Sequence, residues 1–94
     1  MSKNELEKLR AEINSLDKEL VSVLAKRFAV TQKVGKYKAK NNLPAKDPKR
    51  EKELYASREL MAKNFKLDAK MVKKIFQEII KTVRKNHRLI KSKK

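Results

Sequence analysis

There is no cysteine anywhere in the 94-residue chain, so no disulfide can staple a small core together. One glycine and two prolines leave little material for turns, which excludes an all-β fold and any glycine-rich phosphate loop. Only five residues are aromatic, with no tryptophan, so the stacking surface used by single-strand nucleic-acid binders is missing. No apolar run approaches the ~18 residues of a membrane-spanning helix. The opening MSKNELEKLR lacks the apolar stretch of a signal peptide, and a cytoplasmic address is the expectation. Acidic residues are scarce too: 11 against 27 basic ones give a formal charge of +16.

What remains is a short, helix-rich, lysine-rich chain. A domain of this length buries roughly 60–65% of its unfolded surface on its own. With no disulfide and no evident metal cluster to compensate, a partner subunit is expected. The hydrophobic fraction of 39% is too high for outright disorder. A charge this large fits a nucleic-acid binder, and it also steers small anions. Most of it is lysine, 21 against 6 arginines, spread along the chain as on ordinary solvated helix faces. The exception is the end of the chain, His87 to Lys94, which reads as a frayed basic tail.

The strongest pattern is a heptad. Leu6, Ile13, Leu20, Arg27 and Val34 share one seam position, and Leu9, Leu16, Val23, Val30 and Tyr37 the other; nine of the ten are apolar. This predicts one helix over about residues 4–42, with Asn4 and Glu7 as a capping box and Pro44 beyond its stop. Such a helix is ~57 Å long, against ~25–30 Å for a compact globule of this length, so its ridge must be shared with another chain. Asp47-Pro48 signals a second helix over about 48–64. A third, over about 69–90, follows Asp68, with Leu67 and Val72 as a hydrophobic staple. Its stripe is Met71, Val72, Ile75, Phe76, Ile79, Ile80 and Val83, reaching His87 and Ile90. The predicted class is all-α, three helices in a single domain over residues 1–94.

Several polar residues stand where apolar ones belong. Arg27 interrupts the seam. Arg10 and Lys38 occupy a flanking position that Leu24 also fills. Arg50 and Glu51 edge the buried face of the second helix, and His87 that of the third. A buried charge without a partner costs several kcal/mol. Singly, each has a plain explanation: a register-setting arginine, stems that snorkel to water, favourable first-turn charges, a structural histidine. Jointly, three of six arginines face the seams of the first two helices, and arginine's planar fork suits carboxylates. Arg27 and Lys38 lie ~16 Å apart along the helix and Arg10 a further ~25 Å away. The first two can converge on one small ligand; Arg10 can join only from an antiparallel second copy.

These residues resemble the all-helical chorismate mutases. The likeness runs through Leu9-Arg10, Ile13, Leu16-Asp17, Leu20, Leu24, Arg27, Val34-Gly35-Lys36-Tyr37-Lys38, Pro44, Asp47 and Arg50-Glu51. It continues in Leu67-Asp68 and Ile75-Phe76-Gln77-Glu78-Ile79-Ile80. It implies an intertwined homodimer with two equivalent sites, converting chorismate to prephenate with no cofactor and no metal. By the same resemblance Arg27, with Arg10 of the other subunit, binds the two carboxylates, and Lys38 a carboxylate and the ether oxygen. Glu51 and the Asp47 backbone hold the ring hydroxyl, and Arg50 braces the acidic groups. Two positions depart from the family pattern: His87 stands in place of glutamine as second donor to the ether oxygen, and Val83 in place of a small polar residue. Because a protonated imidazole is the stronger donor, activity is expected to fall as pH rises through the titration of His87. An isochorismate–pyruvate lyase on the same scaffold, a mutase-like regulatory domain without activity, and a basic nucleic-acid module are the alternatives; membrane and nucleic-acid partners are not expected.

Overall fold

The computed structural model describes residues 3–93 and, among them, no strand. Three helices follow one another: α1 (Lys3–Lys40), α2 (Pro48–Asn64) and α3 (Ala69–Ser92). The chain divides into two compact units, Met1–Thr31 and Gln32–Lys94.

The first unit is most of α1. Asn4 lies inside the helix, one residue past its first, so it is not the cap and the Asn4–Glu7 capping box does not form. An asparagine costs only a few tenths of a kcal/mol in a helix interior, so its capping preference is easily overridden. The apolar seam residues from Leu6 to Val30 are exposed, while the seam residue Arg27 and its neighbours Leu24, Phe28 and Thr31 are half-buried. The Thr31 hydroxyl donates to the Phe28 carbonyl at 3.0 Å, satisfying itself within the helix.

The second unit holds the end of α1 with α2 and α3. Its core is thin: Ala39 from α1, Leu54 and Ala62 from α2, and Ile79, Ile80 and Val83 from α3. The α3 stripe is buried only over its middle. Ile79, Ile80, Val83 and His87 are covered, Val72, Phe76 and Ile90 half-covered, and Met71 and Ile75 exposed. Ions and a ring supplement the packing of α2 on α3. Lys73 pairs with Glu59 at 3.5 Å, and the Arg58 guanidinium lies 5.5 Å from the Phe76 ring centre. No helix among the described residues is long and apolar enough to cross a membrane.

Helix ends follow sequence chemistry closely. The Asp47 carboxylate accepts from the Arg50 N–H, with Pro48 in the first turn. Asp68 accepts from the N–H groups of Lys70 and Met71, so each aspartate caps donors that the helix leaves open. α1 and α2 both stop in the left-handed motif in which two N–H groups fold back onto the last turn. Leu43 donates to the Lys38 carbonyl and Asn42 to that of Ala39; Leu67 donates to Ala62 and Lys66 to Lys63. Among the described residues, those at positive φ are Asn42 (55°) and Lys66 (58°). This motif ends α1 at Lys40, two residues before the expected stop, because Asn42 tolerates the left-handed region that the turn needs. At the other end of the chain, residues 87–92 are helical rather than frayed. The apolar spacing that carries α3 to Ile90 continues the helix through them. Lys94, the last residue of the expected tail, lies outside the described residues.

Lys66 has no special tolerance for positive φ. Lys66→Gly is expected to raise stability by about 0.5–1 kcal/mol, measured as a higher midpoint in urea or thermal unfolding. A lower midpoint would contradict this account of the α2 terminus.

Candidate active site

Of the residues singled out from the sequence, Arg10 and Arg27 belong to the first unit, Arg10 exposed and Arg27 half-buried. The other six lie in the second unit, where two connections tie its helices to one another and a third ties α1 to the loop after it.

The first connection is an ion pair between α2 and α3. Glu51 is 9% exposed, and its carboxylate meets the Arg84 guanidinium in a two-pronged contact. Arg84 Nε donates to Oε2 at 2.8 Å, and a second guanidinium nitrogen donates to Oε1. Such a fork fixes the carboxylate plane as well as its charge. A carboxylate offers about four acceptor positions, so two remain for a hydroxyl donor. Sequence reasoning missed Arg84. The signal was present: it is one of six arginines, it follows Ile80 by one helical turn, and it adjoins Val83 on the buried side of α3.

The second connection runs from α3 to α1. His87 is 4% exposed, and its ring lies against Gly35, the only glycine of the chain. Val83 is buried one turn before it, so the position where the family pattern has a small polar residue is here an apolar neighbour of the imidazole. The third joins the last turn of α1 to the following loop: the half-buried Lys38 donates from Nζ to the Ala45 carbonyl at 3.4 Å. That bond is long and weak, leaving the ammonium two further donors and an easily exchanged partner.

Asp47 and Arg50 stand at the N-terminus of α2. Both are exposed, and the Asp47 carboxylate and carbonyl are taken up by the N–H groups of Arg50 and Glu51 at 3.1 and 3.0 Å. The cap therefore sets the first turn of α2, from which Glu51 points inward. An ammonium, a fixed carboxylate and a buried imidazole, carried on three different helices, are groups suited to a small hydroxylated anion. They do not form a nucleophile–base pair of the kind covalent catalysis uses.

Residues 9–88 match the family profile described as chorismate mutase type II, and the chain belongs to that family. A bifunctional chorismate mutase/prephenate dehydratase of Buchnera aphidicola (subsp. Schizaphis graminum) is 39% identical over 79 residues, or 84% of this chain and 20% of the relative. The protein of the same description from Escherichia coli K12 is 37% identical, again over 84% of the chain and 20% of its own length. The T-protein of Haemophilus influenzae is 34% identical over 81% of the chain, also 20% of the relative. The chain thus spans about one fifth of the length of these curated relatives.

Removing the Arg84 fork leaves a buried carboxylate with little to neutralise it. Arg84→Ala is expected to cost about 2–3 kcal/mol of stability, and much less when Glu51 is already glutamine. Equal losses in the two backgrounds, measured by urea unfolding, would show that the pair does not hold α2 to α3.

Proposed function

We propose that the chain is a chorismate mutase, rearranging chorismate to prephenate for phenylalanine and tyrosine biosynthesis, and that it works as an intertwined homodimer. The observation that carries the reading is the family membership over residues 9–88, supported by a half-buried Lys38 and buried Glu51 and His87 in the second unit. A cytoplasmic address belongs to the same reading.

In this mechanism Arg27, and Arg10 from the other subunit, bind the two carboxylates and hold the enolpyruvyl side chain folded over the ring. Lys38 and His87 meet the ether oxygen. As the ether C–O bond breaks and the new C–C bond forms within the same molecule, negative charge gathers on that oxygen. Donors already in place there lower the barrier without reorganising. Glu51, oriented by Arg84, and the Asp47 backbone hold the ring hydroxyl, with Arg50 bracing the acidic groups at the mouth of α2. No proton leaves the substrate and no group is transferred to the protein, so the reaction asks for no nucleophile and no cofactor.

The dimer has its own physical support. All nine apolar seam residues of α1, from Leu6 to Tyr37, are 39–62% exposed. Covering the remainder of each is worth about 1 kcal/mol, so two chains together gain roughly 18 kcal/mol, against an association cost of about 4–15 kcal/mol. An exposed ridge of this extent marks an interaction surface.

Two measurements test the reading. Purified protein should consume chorismate and yield prephenate, and Lys38→Ala should lower kcat by about 10²–10³; pyruvate release from isochorismate without mutase activity would favour the lyase instead. Mixing the separately inactive Arg10→Ala and Lys38→Ala chains in equal amounts in denaturant and refolding them together should restore about a quarter of wild-type activity. Half the dimers are then mixed, and each mixed dimer carries one intact site of two. No recovery on mixing would exclude a site that borrows Arg10 from its partner.

A further inference from the structure

We propose that Gly35 is a positioning residue for His87: its missing side chain is the space that seats the imidazole. The proposal rests on the reading of His87 as a donor to the substrate.

Gly35 sits in the interior of α1, buried, with no positive φ to require it. A glycine there weakens the helix relative to alanine, and no turn or bulge offsets the loss. What occupies the place of its side chain is the ring. A Cβ at residue 35 would stand 2.5 Å from His87 Cδ2, 3.0 Å from Nε2 and 2.8 Å from Ile90 Cδ1. Contacts below 3 Å require movement, and the first two atoms belong to the same edge of the imidazole. His87 is 4% exposed, so the ring cannot simply swing into water. Ile90 closes the next turn of α3 on the same spot, and Val83 is buried a turn before. The ring is thereby wedged between its own helix and the bare backbone of α1. Gly35 also stands one turn before Lys38 and Ala39 on α1. The same few residues of that helix therefore set both the imidazole seat and the origin of the ammonium.

A methyl group at residue 35 must therefore displace the imidazole, and a displacement of about 1 Å at a reacting centre costs up to about 10²-fold in rate. The test is a cycle of Gly35→Ala in two backgrounds, wild type and His87→Ala, reading kcat, KM and thermal midpoint. In the wild-type background Gly35→Ala is expected to lower kcat about 10–100-fold with KM nearly unchanged, and to lower or leave flat the thermal midpoint. In the His87→Ala background the ring contacts are gone, and the added methyl meets only the flexible end of the Ile90 side chain, which can move into the space the ring has left. There it should leave the residual kcat unaltered and raise the midpoint by several degrees, as alanine in a helix interior does.

This reversal of sign separates seating of the ring from a general intolerance of residue 35, and it survives if Gly35→Ala alone fails to fold. Equal losses in the two backgrounds, or full activity of Gly35→Ala with His87 present, would overturn the assignment. A wild-type chain with no mutase activity would instead sink the reading of the site itself, before any variant is made.

Discussion

The rest of the structure depends on an apolar ridge that α1 leaves in water. Nine aliphatic or aromatic seam residues along a 38-residue helix are each more than a third exposed, an arrangement that soluble chains seldom leave uncovered. The core of the second unit offers no compensation: its buried apolar residues include two alanines, and among the described residues no side chain is completely enclosed. A domain with so little interior and no disulfide is one that association would stabilise. In the proposed dimer the same burial that stabilises the fold also brings Arg10 to a site its own chain cannot supply. Folding and function then share one surface, and a change that weakens the ridge weakens both.

Against that thin core the polar groups are held by few, specific contacts. Glu51 keeps its charge inside because Arg84 meets it with a planar fork, and His87 keeps its place because α1 has no side chain at residue 35. Lys38 is held by a single long bond to the Ala45 carbonyl. The gradation fits the division of labour proposed for them. The carboxylate that would orient the hydroxyl and the imidazole that would meet the ether oxygen are held by protein contacts, whereas the ammonium that would meet the same oxygen keeps further donors. With a net charge of +16, the chain also draws small anions toward it, at a rate that falls with added salt.

Much of this was legible in the sequence because it depends on local chemistry. The heptad spelled the long helix, Asp47-Pro48 and Asp68 marked two helix starts, and the residues from Leu9 to Ile80 carried the family resemblance. What escaped depended on contacts between distant segments. Arg84 looked like one more cation on a basic helix until Glu51 appeared opposite it, 33 positions away in the chain. Gly35 looked like a family marker, and its meaning emerged only with the His87 ring beside it. The two helix ends at Asn42 and Lys66 carry no glycine, so the usual stop signal was absent and the backbone reached the left-handed region without it. At the C-terminus the abundance of charge suggested fraying, yet the apolar spacing up to Ile90 prevailed.

A second copy of the chain covering the α1 ridge is the condition on which the proposed site depends. Sedimentation equilibrium or light scattering at micromolar concentration measures this directly. The expected result is a particle of twice the 11.0 kDa chain mass, with no single-chain species as the protein is diluted through that range. A stable 11.0 kDa monomer that nonetheless turned over chorismate would contradict it, since no partner would then be present to lend Arg10.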